Sequence, residues 1–127
     1  VSDLGMVINS VSPVRMVNLQ TMLSNNSIST SSACILTSIA KEIKFKDTGH
    51  EDYIFWMDAL NIVGQGFKIV SNKPLMMYTV NQNSLSGNKI KAIFWQWKNL
   101  RVNLNLPLHK SVYFFSMYLI KAIHKRL

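Results

Sequence analysis

One short stretch, residues 49–60, constrains the fold of this chain more than any other. Its apolar side chains recur at helical spacing and continue just beyond it, at Tyr53, Trp56, Met57, Leu60 and Val63. Residues at i, i+3, i+4, i+7 and i+10 share one face of an α-helix, so the pattern predicts a helix with one buried side. Glu51 and Asp52 then lie at its N-terminal end, and three of the six acidic residues fall between positions 50 and 60. The start of this helix is therefore the first place to look for acid–base chemistry.

Length and composition indicate one ordinary domain. The chain has 127 residues and is 48% hydrophobic, which is enough for a real core. Because the sequence opens with Val1 and residues 1–11 read as strand or loop from the middle of a protein, we expect an upstream portion. Cys34 is the sole cysteine, so an intrachain disulfide is excluded and a reducing compartment is favoured.

The positive charge of the chain is confined to its C-terminal third. The net charge is +8, yet residues 1–85 carry six cations and six acidic side chains and so sum to zero. Residues 86–127 carry eight lysines and arginines and no acidic residue. A one-sided basic region of this kind is typical of proteins that contact an anionic surface, either phospholipid or nucleic acid.

The first part of the chain predicts a helix, a serine-rich connection and a short strand. Ser12 followed by Pro13 favours a helix start, since serine caps the first turn and proline has no N–H to leave unpaired there. That helix is expected to end at Asn25. Residues 27–32 predict either a solvated loop or a substrate-facing segment, and residues 33–36 predict a buried strand.

Beyond the central helix, Gly64 predicts a helix end because glycine accepts the left-handed backbone without strain. Two short strands are expected next, at residues 67–70 and 75–80, joined by a brief turn. From Lys89 the spacing becomes helical again. The stripe expected to face the core consists of Ile90, Ile93, Phe94, Trp97, Leu100 and Leu104.

Pro107 predicts the start of a last helix. Its body, residues 112–120, is apolar nearly all round and is followed by a cationic end, which complements the helix macrodipole. Two interpretations stay open: a peripheral helix at a phospholipid surface, or a helix packed on the domain. The apolar run is far shorter than the roughly 20 residues needed to cross a bilayer.

Three segments, in this order, carry a resemblance to a known family. They are Ile28–Cys34, Glu51–Trp56 and Leu75–Lys91, the last containing Tyr78-Thr79-Val80 and Ser84-Leu85-Ser86-Gly87-Asn88-Lys89. From about Val14 onward the chain resembles the C-terminal half of bacterial family 2 glycosyltransferases of the GT-A fold, chiefly those that build capsular, teichuronic acid and lipopolysaccharide chains. The resemblance implies an α/β fold class: the C-terminal portion of a GT-A nucleotide-diphospho-sugar transferase, with short mixed strands plus helices and two C-terminal helices. Residues 1–85 would be the acceptor-side part and residues 86–127 the basic, aromatic and membrane-associated helices.

In that family the counterpart of Asp52 is the general base of an inverting sugar transfer, and Glu51 is expected to support it. Acidic residues in the first turn of a helix are also typical of ordinary capping, so both interpretations stay open. The resemblance further implies acceptor or donor contacts by His50, Tyr53, Trp56, Tyr78, Ser84 and Ser86. The alternatives are packing for the two aromatics of the core stripe, a loop position for the histidine, and helix capping for the last serine.

Two features of the family pattern are missing from this sequence. Thr79 stands where the family has arginine, which removes one cation beside the donor diphosphate. The family's metal-holding Asp-x-Asp lies upstream, and no Asp-x-Asp occurs in these 127 residues. The resemblance therefore implies a divalent cation, Mg²⁺ or Mn²⁺, whose ligands lie outside this chain. Without the upstream strands the sheet would have an uncovered edge, so we expect the isolated chain to form homo-oligomers or to aggregate.

The implied partners are a nucleotide sugar, a saccharide or lipid-linked acceptor, and an anionic membrane surface. The implied place is the cytoplasm, peripheral on the inner face of the bacterial membrane, in cell-envelope polysaccharide biosynthesis. The competing hypothesis is a non-catalytic basic α+β module that binds an anionic membrane surface, or nucleic acid through Lys91, Trp95, Lys98 and Arg101. A truncated, inactive gene product is a third. We predict no nucleic acid partner, because alternating cations and aromatics also describe a membrane-facing helix.

Overall fold

The computed structural model describes residues 7, 10–47, 51–79 and 89–124. Within these ranges the chain is mostly helical, with one two-stranded antiparallel sheet. In chain order the elements are β1 (Met16–Asn18), α1 (Leu19–Ser24), a 3-10 turn (Thr30–Ser32), α2 (Thr37–Glu42), α3 (Glu51–Val63), β2 (Gln65–Phe67), α4 (Lys89–Lys98), a π-helical turn (Asn99–Asn103) and α5 (Leu108–His124). The prediction of a mixed chain of helices and short strands is confirmed at this level.

Helix α3 is the centre of the core. Its buried residues are Tyr53, Ile54, Phe55, Trp56, Met57, Ala59 and Leu60. Helices α1 and α2 and strand β2 all contact α3, and Met22 of α1 is buried with it. Because neighbours lie on several sides, α3 is buried around most of its circumference rather than along one stripe. The predicted stripe is confirmed except at Val63, which is exposed.

Two glycines connect α3 to the sheet. Gly64 has a φ of +80°, the left-handed conformation predicted for the helix end, and its N–H donates to the Leu60 carbonyl at 2.8 Å. Strand β2 pairs antiparallel with β1 in the register Met16–Phe67, Val17–Gly66 and Asn18–Gln65. A Cβ atom on Gly66 would lie 3.1 Å from Val17 Cγ1, so a side chain at this position would crowd the opposite strand.

The predicted helix start at residues 12–13 is wrong. Helix α1 begins at Leu19, because Asn18 caps it: Asn18 Oδ1 accepts from the Thr21 N–H at 2.9 Å, and Thr21 Oγ1 accepts from the Asn18 N–H at 2.8 Å. The residues just before the cap pair with β2 and are therefore extended. The predicted helix end at Asn25 is confirmed.

Two of the predicted strands are not formed among the described residues. Residues 33–36 are an extended connection into α2. Ala33 and Ile35 pack against the core while their neighbours are exposed, and this alternation explains the strand-like pattern. Residues 75–79 also belong to no strand, and β2 starts two residues earlier than predicted. A strand needs a partner for its backbone groups, and a local pattern does not supply one.

Helix α4 forms where predicted, but it does not face the core as predicted. Ile90 and Phe94 of the expected core stripe are each 71% exposed, whereas Gln96, Asn99 and Leu100 are buried. The π-helical turn that follows α4 changes the helical period, so residues on its two sides do not share one 3.6-residue stripe. The core-facing side of this segment is therefore partly polar.

Helix α5 begins directly after Pro107, as predicted. It contacts α1 and α4, and Lys121 Nζ donates to Ser24 Oγ of α1 at 2.8 Å. Ser111 is its buried residue. Among the helices that the structure describes, none is long and apolar enough to cross a membrane.

Replacing Leu60 with alanine should lower the free energy of unfolding by about 2–5 kcal/mol, because this side chain is only 3% exposed within the core. Ile62→Ala is the matched control, since Ile62 lies on the same helix but is 46% exposed. Its expected cost is below about 1 kcal/mol. Urea denaturation followed by circular dichroism measures both values, and equal losses would contradict the central position of α3.

Candidate active site at the start of helix α3

The acidic pair lies in the first turn of α3. Glu51 and Asp52 are both partly buried, and Asp52 Oδ1 accepts a hydrogen bond from the Tyr53 N–H at 2.8 Å. The first N–H groups of a helix have no partner within the helix, and their partial positive charge stabilises a carboxylate. An N-cap side chain accepts from an N–H two or three residues further on, so this bond to the adjacent residue is a local one and not a capping bond. It engages Oδ1, so an incoming proton would be taken by Oδ2.

Tyr53, next to the acidic pair, is fully buried and ties α3 to α1. Its hydroxyl donates to the Met22 carbonyl oxygen at 3.2 Å. Burial raises the pKa of Tyr53 from 10.0 to about 12, and the side-chain amide of Gln96 offsets part of that increase. Tyr53 is therefore a protonated donor at neutral pH. These contacts are those of packing, and an acceptor contact by Tyr53 stays a prediction.

Trp56 connects α3 to the serine-rich segment. Its indole Nε1–H donates to Thr30 Oγ1 at 3.0 Å, and the ring is 7% exposed. Ile28 and Ala33 of the same segment pack against the core. The first two of the three segments that carry the family resemblance therefore adjoin each other. A buried indole needs an acceptor for its N–H. This requirement predicts that Trp56 bonds a polar side chain such as the hydroxyl of Thr30.

The other predicted site residues are not gathered around the acidic pair by the described structure. Tyr78 is exposed in the segment that follows β2. His50, Ser84 and Ser86 lie outside the described residues. Helix α3 alone thus positions Glu51, Asp52, Tyr53 and Trp56, and the roles predicted for all of these residues stay predictions.

A buried polar cluster near Tyr53 was not predicted from the sequence. Gln96, Asn99 and Ser111 are buried, and Asn103 Nδ2 donates to Asn99 Oδ1 at 2.6 Å. Among the described residues, Gln96 Nε2 and Asn99 Nδ2 have no hydrogen-bond partner. The amide of Gln96 therefore acts on Tyr53 by proximity rather than through a well-formed hydrogen bond. The i, i+4 spacing of the two asparagines is the sequence signal that places them on one helical face.

The described residues form no cluster of metal-ligating side chains, and the groove that they do form lies away from the acidic pair. No group of three or more His, Cys, Asp and Glu side chains in this part of the chain could hold a metal ion. An open apolar groove of about 540 Å³ is lined by Leu23, Leu106, His109, Lys110, Tyr113 and Phe114. Neither acidic residue of the first turn of α3 lines this groove.

Comparison with known proteins gives one distant relative. No protein-family model matches the chain, and no solved structure matches it. A Haemophilus influenzae protein named as an uncharacterized glycosyltransferase is 26% identical to it over 114 residues. The similarity supports a glycosyltransferase relation. The alignment covers 90% of this chain but only 45% of that protein, so the chain spans less than half the length of its relative.

The raised pKa of Tyr53 predicts a loss of stability at high pH. The pKa of Tyr53 is about 12 in the folded state and 10.0 in the unfolded state. The contribution of its protonated hydroxyl to the free energy of unfolding is therefore complete below pH 10 and is lost as the pH rises toward 12. The loss by pH 12 should reach about 2 kcal/mol. Urea denaturation at neutral pH and at pH 12 should show the difference in stability between wild type and Tyr53→Phe shrinking by this amount. Tyr113→Phe, at an exposed tyrosine, is the control, and a similar shrinkage there would refute the assignment.

Proposed function

We propose that this chain is the acceptor-side portion of an inverting family 2 glycosyltransferase of the GT-A fold. The sugar donor is a nucleotide sugar, and the acceptor is a saccharide or a lipid-linked saccharide of a cell-envelope polysaccharide. The enzyme works in the cytoplasm, peripheral on the inner face of the bacterial membrane. The distant relative named as a glycosyltransferase, aligned over 90% of the chain, supports transferase activity in general. The order of three segments along the sequence supports the family; they are residues 28–34, 51–56 and 75–91.

The observation that carries the proposal is the fixed position of Asp52. Asp52 is partly buried in the first turn of α3. It directly precedes Tyr53, which bonds α1, and it lies four residues before Trp56, which bonds Thr30. A catalytic group needs a support that holds it within a fraction of an ångström, and a buried helix provides this better than a loop does. Among the described acidic residues, Glu51, Asp52 and Asp58 share this rigid support and partial access to solvent, and the family resemblance selects Asp52 from the three.

The proposed step is a single displacement at the anomeric carbon of the donor sugar. The acceptor oxygen forms a bond to that carbon from one face while the bond to the diphosphate oxygen breaks on the opposite face. The hydroxyl proton passes to Asp52, and the nucleoside diphosphate leaves with the bonding electron pair. One carboxylate is enough for this reaction, since inversion needs a base and no covalent intermediate. With Oδ1 held by the Tyr53 N–H, Oδ2 receives the proton.

A divalent cation, Mg²⁺ or Mn²⁺, belongs to the proposal through the family alone. It would neutralise charge on the leaving diphosphate. The described residues bring together no ligand set for it, so no step is assigned to it here. Binding of the nucleotide and the cation belongs to the part of the enzyme that lies outside this chain.

Asp52→Ala should lower kcat by about 10² to 10⁴-fold in the natural protein that carries this sequence, with little change in the KM for the donor. The measurement is release of nucleoside diphosphate from a panel of nucleotide sugars in the presence of cell-envelope acceptors. Asp58→Asn is the matched control, because Asp58 lies on the same helix and pairs with Lys46 at 2.6 Å on the surface. Its kcat should remain within a few-fold of wild type, since exposed ion pairs contribute little.

Two outcomes would count against this assignment. Full turnover by the Asp52→Ala protein would exclude Asp52 as the base. Equal losses for Asp52→Ala and Asp58→Asn would instead indicate a general effect on α3. Glu51→Gln separates the members of the acidic pair, because a supporting residue should cost less turnover than the base.

A further inference from the structure

The solvent-facing side of α5 is apolar along the length of the helix. At 100° per residue, the exposed side chains of this side project within an arc of about 140°. They are Leu108, His109, Val112, Tyr113, Ser116, Ile120 and Ile123, all apolar except His109 and Ser116, and we call them the outer face of α5. The remaining side packs inward, where Ser111 is buried and Phe115 contacts Trp97 with ring centroids 5.1 Å apart. Helix α5 is thus apolar on both sides, and its outer face has no protein cover among the described residues.

Positive charge borders this outer face along one edge. Lys110 and Lys121 are exposed and project about 60–80° beyond Tyr113 on the helical wheel. His124, also exposed, projects about 20° beyond Tyr113 toward the same edge. Residues 86–127 contain eight lysines and arginines and no acidic residue. The surface therefore combines a strip of mostly apolar side chains with exposed lysines along one edge.

Helix α4 repeats the pattern beside α5. Ile90 and Phe94 are exposed on its outer side, and Lys91 and Lys98 project within about 60° of Phe94 on the same helical wheel. The two helices touch through Trp97 and Phe115. Two adjoining helices thus turn apolar residues outward and carry cations next to them.

We propose that the outer faces of α4 and α5 bind in the plane of an anionic phospholipid surface. Apolar side chains enter the headgroup and acyl boundary, and the bordering lysines contact lipid phosphates. The proposal rests on the membrane location given in the proposed function and names the surface that makes the contact, but it does not require sugar transfer. The described helices do not have the length and apolar character of a span, which fits a helix that lies on the surface.

Charge and side-chain type favour lipid over the two other candidate occupants. A second copy of the same face would bring Lys91, Lys98, Lys110 and Lys121 of the two copies toward each other, and residues 86–127 contain no acidic residue to pair with them, which costs binding energy. Single-stranded nucleic acid binds to stacked aromatic rings between cations. The outer face of α5 instead presents mostly aliphatic side chains, which cannot stack on bases, and Trp97 is partly buried against α5.

The test is sedimentation of the natural protein that carries this sequence with vesicles of phosphatidylcholine alone or mixed with phosphatidylglycerol, and with no vesicles as the blank. We expect binding to the mixed vesicles that weakens at high salt. The combined variant Val112→Ser, Ile120→Ser, Ile123→Ser should lower the partition coefficient about a hundredfold. Lys110→Gln with Lys121→Gln should lower it about tenfold at low salt.

Matched controls come from exposed residues elsewhere in the chain. Ile69→Ser, Val70→Ser and Leu75→Ser remove a similar set of exposed apolar side chains, and Lys41→Gln with Lys44→Gln removes two exposed cations. Both control proteins should bind vesicles as wild type does. Circular dichroism of every variant confirms that the helices are retained.

A fluorescent label reports the face directly. In a Cys34→Ser background, an environment-sensitive dye attached at Val112→Cys should shift to the blue when anionic vesicles are added, whereas the same dye at Val70→Cys should not. The proposal is overturned by any of three results: no binding to anionic vesicles at low salt, unchanged binding by the Val112, Ile120 and Ile123 variant, or salt-sensitive binding of single-stranded DNA without vesicle binding. The wild-type protein could also self-associate without binding vesicles. If the Val112, Ile120 and Ile123 variant abolished that self-association, the outer face would be assigned to a second copy of the chain instead.

Discussion

Two hydrogen bonds from buried aromatic side chains hold the chain around α3. The Tyr53 hydroxyl bonds the Met22 carbonyl, and the Trp56 indole bonds the Thr30 hydroxyl. Apolar burial brings α1 and the serine-rich segment onto α3 but does not fix how they are oriented, since it is not directional. A buried donor without its partner costs about 1–3 kcal/mol, so these two bonds select one arrangement. The first turn of α3, with Glu51 and Asp52, takes its position from them.

The C-terminal part of the chain differs from the core around α3 in the side chains that it buries. Its inward side carries Gln96, Asn99 and Ser111, while Ile90 and Phe94 point to solvent. A protein surrounded only by water gains by burying the apolar residues and exposing the amides. The reversed arrangement is consistent with an outer environment that is itself apolar, which is the environment proposed for these helices. Of these buried polar side chains, the amide of Gln96 lies next to Tyr53 and so adjoins the core around α3.

The proposed chemistry and the proposed membrane contact fit one another. A base held on the acceptor side serves an acceptor hydroxyl, and a lipid-linked acceptor presents that hydroxyl close to a membrane surface. The chain spans 45% of its relative, and the described residues hold no metal-ligand group. The proposed function assigns donor binding to a different part of the enzyme, which would meet this chain at the acidic pair.

Local sequence patterns by themselves determined the elements whose signals are short-range. The spacing from Tyr53 to Leu60 determined α3, Gly64 its end, and Pro107 the start of α5, because periodicity, φ preference and the missing N–H of proline act within a few residues. For the candidate site, they determined that Glu51, Asp52, Tyr53 and Trp56 share one helix, but not that Trp56 meets Thr30. Only the tertiary structure decided that residues 33–36 and 75–79 form no strand among the described residues, and that α4 turns Ile90 and Phe94 outward. Strand pairing and burial depend on partners distant in the sequence, so the local pattern is the same whether those partners are present or not.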